Sequence, residues 1–273
     1  MPPVIIIASK EFRDGLRHRW VVAIAFILAL FATGIAAFGA VASGGLGFTA
    51  LSTTLASLTT LAVVLIPLIA LMLAYDAIVG EQENGTLLLL LTYPLPRSRL
   101  LLGKFLGHAA VLGIATLIGF GVATAVIAVA QGDASIAALF AGMGRLIGAA
   151  CLLGWAFLAM AYLISTSVQE KARAAGLALI TWFFFVLVFD LGLLALLVGI
   201  RQGGDWLPWL MLANPVECFR LLMLGGVDNG HELGLTVLGQ AGGFSTPLLA
   251  ATLAAWIVIP LALAIRRFQR RPH

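Results

Sequence analysis

Charge is scarce in this sequence. Its 16 Lys and Arg and 12 Asp and Glu make up 10% of 273 residues, where a soluble domain carries roughly 25%. That scarcity excludes an ordinary soluble globular protein. Cysteine is scarcer still. The two present, Cys151 and Cys218, form no C-x-x-C, and nothing resembles a structural zinc site. No G-x-x-x-x-G-K-[ST] occurs, so the chain carries no P-loop of its own. No cluster of His, Asp or Glu recurs within the apolar stretches, which argues against a membrane-embedded enzyme.

What the sequence has instead is apolar length. It is 62% hydrophobic, with a mean hydropathy of +1.09. Six segments stand out, over residues 20–42, 52–75, 105–131, 141–165, 175–200 and 244–265. Each reaches the roughly 20 residues that a spanning helix needs. The expectation is an all-α polytopic membrane protein with one six-span domain over 20–265. Pro67 and Pro260 fall inside spans, where neighbouring helices satisfy the freed backbone groups. A signal peptide ending near Ala40-Val41-Ala42 is disfavoured, because the apolar region exceeds a signal core of about 7–15 residues.

The net charge of +4 matters less than its placement. Thirteen Lys and Arg fall before the first span, in the second-to-third and fourth-to-fifth connections, and in the tail 266–273. Three, Arg145, Arg201 and Arg220, fall on the other side. The positive-inside rule then predicts both termini in the cytoplasm of a bacterial inner membrane. Residues 1–19 read as an interfacial amphipathic helix, with Ile5, Ala8, Phe12, Leu16 and Trp20 on one face and Lys10, Arg13, Asp14 and Arg17 on the remainder. A plain charged flank of the first span is the competing reading.

The cytoplasmic segment 76–104 poses the sharpest question. Five consecutive leucines, Leu87 to Leu91, follow Glu81, Glu83 and Asn84-Gly85 and precede Pro94 and Pro96. Five helical residues cover roughly 7 Å, far less than a hydrocarbon core of about 30 Å. The acids favour a helix start, and the prolines end the helix near Thr92. A short leucine-rich cytoplasmic helix either docks on another protein or packs on the chain's own helices.

The stretch EQENGTLLLLLTYPLPRSRLLLGKFLG resembles the acid-x-acid-x-Gly-Thr … Pro-x-x-Arg … Gly-Lys signature of ABC-2 type permeases (type V exporter-like). The resemblance implies six spans, an N-terminal elbow helix, a coupling helix and a homodimer. It also implies a separate cytoplasmic ABC ATPase that holds ATP and Mg. The implied coupling residues are Glu81, Glu83, Asn84, Gly85, Thr86, Leu88, Leu89, Pro94, Arg97, Arg99 and Lys104. For the last three a merely positive-inside role stays open. With ASKEFRDGLRHRW, LAYDAIVGE, EKARAAGLAL, LVFDLGLLALLV and NPVECFRL, the likeness narrows to permeases that serve maturation of nitrous oxide reductase, a copper enzyme. That implies a periplasmic β-helical partner, a copper chaperone and the reductase as further contacts, and a sulfur-containing cargo or support of copper loading. Membrane lipid is expected around the chain, and no nucleic acid. The loop 201–243 departs most from the family.

Outside that segment, Asp190 lies about 15 residues into the fifth span and Arg145 just inside the outer end of the fourth. They are expected at similar depth, as a structural pair or a pathway element. In loop 201–243, Trp206, Trp209, Asn214, Glu217 and Arg220 are candidate contacts for a periplasmic partner. Met211, Cys218, Met223 and His231 are soft donors at irregular spacing, so no metal site is expected. His108 reads as an interface residue. Two other functions remain open: a generic ABC-2 efflux permease for a lipid or drug, and an ion-coupled secondary transporter. The second is disfavoured because Asp190 is nearly alone in the spans.

Overall fold

The computed structural model describes residues 3–17, 20–42, 51–87, 95–131, 136–199, 206–224 and 243–270. Leu88, Leu89, Pro94 and His231 lie outside the described residues, as do Arg19, Arg201 and Arg271. Among those described, every regular element is helical. The order is α1 Pro3–Arg17, α2 Trp20–Ala42, α3 Leu51–Ala74, α4 Val79–Glu83, α5 Arg97–Gln131 and α6 Ile136–Ser165, then α7 Lys171–Phe183, a π-helical turn Phe184–Val188, and α8 Phe189–Gly199. The short helices α9 Leu207–Met211 and α10 Pro215–Leu224 follow, and α11 Thr246–Arg270 ends the chain.

Five of these stretches are long and apolar enough to cross a membrane, and α1 with α2, bent by 61°, brings the number to six. The helices overrun the apolar segments. α5 starts at Arg97 and α6 at Ile136, several residues before the apolar windows, and α11 continues to Arg270. Apolarity marks the part of a helix that meets hydrocarbon, whereas its hydrogen bonds continue into the headgroup layer. At 35 residues, α5 is about 52 Å long, well beyond the core of the bilayer.

The core lies among α2, α3, α5 and α6, where Leu28, Leu58, Ile66, Leu112, Phe120 and Phe157 are fully buried. Indoles stitch the bundle. Trp155 Nε1 donates to the carbonyl of Ala109 at 3.1 Å, Trp182 Nε1 to that of Val64 at 3.0 Å, and Trp256 Nε1 to that of Leu212 at 3.3 Å. In a medium without water each such donor needs a protein acceptor. Ile180, Phe183, Leu191 and Val198 on α7–α8, and Val22 and Phe26 on α2, remain exposed, as surfaces that face lipid do.

Both ends of the chain arrive at the same end of the bundle. α1 lies along the first turns of α5, and Arg97 at the start of α5 reaches the last turn of α11. Of the expected apolar stripe on α1, Ile5 and Leu16 stay 53% and 44% exposed, while Ala8 and Phe12 turn toward the bundle. Ile7 packs on the core beside Phe12, with Glu11 and Gly15 on the same side, against α5. Glycine on α5 makes this possible. A Cβ on Gly107 stands 2.5 Å from Glu11 Cβ and 2.9 Å from the carbonyl oxygen of Ala8, and one on Gly103 stands 2.7 Å from Ile7 Cβ. Twelve residues on, Gly119 meets Leu28 of α2 in the same way, at 2.6 Å. Small residues of this kind let helix backbones approach in membranes.

Gly107→Ala should therefore cost about 1–3 kcal/mol through overpacking, despite the better helix propensity of alanine. Gly121→Ala, where the added methyl meets open space, should be neutral or slightly stabilising. Thermal unfolding of the two variants in detergent checks the contrast. Equal melting temperatures would remove the close packing of α1 on α5.

Candidate functional site

At the end of the bundle that holds both termini, one ammonium group joins three elements. Lys104 of α5 is 4% exposed. Its Nζ lies 2.9 Å from Glu11 Oε1 of α1 and 2.8 Å from Glu81 Oε1 of α4. Two carboxylates on one buried lysine make each partner costly to remove. Burial alone pushes the Glu11 carboxyl up. The charge and hydrogen bond of Lys104, with His108 and Lys10 adding, outweigh it and hold Glu11 below the ordinary carboxylate value. Beneath this triad His108 Nδ1 and Tyr162 Oη are 2.6 Å apart. His108 is thus a part-buried tie between α5 and α6.

The segment between α3 and α5 is anchored on two further sides. Ser165 Oγ, at the end of α6, accepts from the N–H groups of Ile78 and Val79 at 3.0 and 3.1 Å. These are donors that the start of α4 leaves without helical partners. Lys171 at the start of α7 pairs with Asp76 at 2.7 Å, and its N–H donates to Glu83 Oε1 at 2.6 Å. Glu83 therefore places a negative charge at the amino end of α7, where the helix dipole favours it.

Beyond these anchors the segment ends in a small exposed tip. Gln82, Glu83, Asn84, Gly85 and Thr86 are exposed. Gly85 has φ of +71°, a left-handed conformation that glycine adopts without strain. Thr86 Oγ1 donates to the carbonyl of Glu81 and closes the turn. Leu87 is then buried. The tip is a rigid knob on a clamped base, an arrangement suited to receiving a partner and passing force into α1, α5, α6 and α7 together.

The residues expected to couple thus divide. Asn84, Gly85 and Thr86 form the exposed tip, while Glu81 faces Lys104 and Glu83 turns its carboxylate to α7. Lys104 is buried inside the chain and is not a surface cation. Arg97 Nη1 donates to the carbonyls of Phe268 and Gln269 at 3.1 and 3.3 Å, which caps the end of α11. Arg99 is exposed. Arg267 of α11 adds a bond to Ser167 Oγ at 2.7 Å. Sequence reading missed Glu11, Ser165 and Lys171. The available signal was a carboxylate on α1 four residues after Ile7 and four before Gly15, on the packed side of the helix.

At the opposite end the expected Arg145–Asp190 pair does not form. Arg145 is exposed, and Asp190 Oδ2 instead takes Arg220 Nη1 at 2.6 Å. The same Nη1 meets Glu217 Oε1 at 2.5 Å. Depth along separate helices says nothing of azimuth, and α10 brings Arg220 closer. Asn214 and Glu217 also depart from the expected role of partner contact, because both are buried. Asn214 Nδ2 donates to the carbonyl of Phe185, and its Oδ1 accepts from the N–H of Val216. It therefore caps α10 and ties it to the π-helical turn. Trp206 and Trp209 are exposed. Cys218 Sγ lies among backbone carbonyls, 3.7 Å from that of Leu212.

Removing Lys104 tests the triad. Lys104→Met leaves two carboxylates without their cation and should destabilise by about 3–5 kcal/mol. Because Glu11 titrates below 4.5 in the folded chain, its contribution is complete above that pH and is lost as pH falls through the lower folded value. Melting temperatures measured from about pH 3 to 7 should show that acid limb in the wild type. In the variant burial is no longer outweighed by Lys104, so the Glu11 contribution to that acid limb should disappear or reverse.

The comparisons with known proteins agree with this architecture. The family model described as ABC-2 family transporter protein matches residues 5–272. The chain is 53% identical over 275 residues to the probable ABC transporter permease protein NosY of Pseudomonas aeruginosa, with all of both chains covered. It is 52% identical over 269 residues to the protein of the same description from Stutzerimonas stutzeri, with 97% of each covered. A match of this extent, on an all-helical multi-pass chain, makes the protein a permease of the ABC-2 transporter family.

Proposed function

We propose that this chain is the membrane subunit of an ABC transporter that serves maturation of nitrous oxide reductase. A separate cytoplasmic ATPase, NosF-like, binds ATP and Mg and docks on the segment 81–93. The permease works as a homodimer in a bacterial inner membrane, with both termini cytoplasmic. The product of its motion is either export of a sulfur-containing species or force delivered to a periplasmic β-helical protein, NosD-like. That partner in turn supports copper loading, with a copper chaperone, into the reductase. Full-length identity above one half to proteins described as NosY supports the assignment.

The single observation that carries the coupling role is the exposed tip 82–86 on its clamped base. A docking knob transmits force only if its base does not yield. Here the base is held by a buried ion pair to α5, by Ser165 of α6 and by Lys171 of α7. ATP-driven closure of two ATPase subunits then moves the ends of four helices as one body.

Replacing Leu88 and Leu89 by Asp tests the docking reading. Burying one leucine contributes about 1.5–3 kcal/mol, so two charged replacements should abolish copurification of the ATPase. The variant permease should remain monodisperse and membrane-inserted. Undiminished ATPase recovery refutes docking through this face. Mass spectrometry of the purified wild-type complex identifies which partners accompany the chain, and separates this reading from that of a lipid or drug exporter.

A further inference from the structure

The cluster at the other end of the bundle has one carboxylate more than it has cations. Asp190 of α8 and Glu217 of α10 both address Nη1 of Arg220. Glu217 is 1% exposed, and Asp190 Oδ1 is buried without a hydrogen-bond donor among the described residues. The two carboxyls are thus brought together on one guanidinium nitrogen. Carboxylate oxygens only accept, so two of them in such contact are held together when one carries a proton. Among the described residues, no other charged side chain pairs with the cluster. α10 packs on α3, α6, α11 and the π-helical turn. α3 and the turn contain no ionisable residue, and those of α11 are Arg266, Arg267 and Arg270 at its far end. On α6, Arg145 is exposed, and Cys151 and Tyr162 lie further along the helix. The neighbouring thiol, Cys218, is fully buried beside Glu217.

We propose that Asp190, Glu217 and Arg220 form a proton-binding site. One proton shared between the two carboxyls locks the α9–α10 hairpin onto the fifth span, and its loss releases the hairpin.

The geometry supplies the lever. Asn214 joins the hairpin to the carbonyl of Phe185, which belongs to a π-helical turn, a local irregularity that often marks functional sites. The Asp190–Arg220–Glu217 contacts join α10 to α8, about one turn further along the same span. With the proton in place the cluster is neutral overall, and without it a net negative charge is buried. Burial pushes Glu217 up to about 7, with Arg220 opposing and Asp190 adding to the rise. A carboxyl raised in the folded state holds its proton where the unfolded chain has lost it. The lock is therefore intact at about pH 5 and weakens as pH rises toward 7, and the loss levels off above that.

Cys218 is a native reporter. Its thiol is buried in the locked hairpin, and in a Cys151→Ser background it is the one cysteine in the chain. The full-length protein in lipid nanodiscs is labelled with N-ethylmaleimide from about pH 5 to 8.5, with and without Glu217→Gln. Glutamine keeps a neutral donor toward Asp190 at every pH. The ratio of rates, wild type over Glu217→Gln, should be near one at about pH 5 and rise about tenfold by pH 8. The direct effect of Glu217 on thiol ionisation runs the other way, since its charge raises the Cys218 pKa. A ratio that stays flat or falls overturns the proposal. Infrared titration of the wild type stands independently of the variants. A protonated-carboxyl stretching band should disappear over the same pH interval, and its absence throughout overturns the shared proton.

Discussion

A buried ammonium group with two carboxylates from different helices is the constraint on which the terminal end of this bundle depends. Lys104 is fixed on α5 by helix geometry, and α5 is the longest element of the chain. Whatever Lys104 holds is therefore indexed to α5: Glu11 and with it α1, Glu81 and with it α4. A lysine in this position is a poor source of net stability, because desolvation offsets much of the attraction. What it provides is register. The glycine face of α5 brings α1 close enough for Glu11 to reach, and the ion pair then fixes how far along α5 the helix sits.

The two polar clusters of the molecule follow different logic. At the terminal end, the charges sit where helices emerge from the apolar layer, and they join elements that must move together. At the opposite end, the Asp190–Arg220–Glu217 cluster carries surplus negative charge and joins a short hairpin to a span that contains a π-helical turn. The first cluster makes a rigid base, and the second makes a contact sensitive to its own ionisation.

Much of the fold is legible in the sequence, and the reason is physical. Hydrocarbon thickness imposes a minimum apolar length, so segments such as 105–131 and 141–165 announce themselves. Helix ends are less legible, because Arg97 or Lys171 extends a helix beyond hydrocarbon without leaving an apolar trace. Side-chain partners are least legible. Glu11 and Lys104 are 93 residues apart in sequence, and nothing local links them. The pairing of Asp190 illustrates the same limit, since Arg145 and Arg220 have equal chemistry and only the azimuth of helices decides between them. The exposed tip is intermediate. Asn84-Gly85 reads as a turn from its residues alone, but the clamps beneath it come from Ser165 and Lys171, which no motif singles out.

The uneven packing of the spans has a mechanical consequence. Of the fifth span's most apolar window, only 17% is buried inside the chain, against 61% for the second span. Yet the fifth span begins at Lys171, which Glu83 and Asp76 grip directly. The span with the loosest packing in the bundle is thus gripped directly by the tip segment. When a displacement enters a body through springs in series, the softest spring takes up most of it. The weakly packed α7–α8 is therefore the part of the bundle best able to tilt against the packed frame around α3.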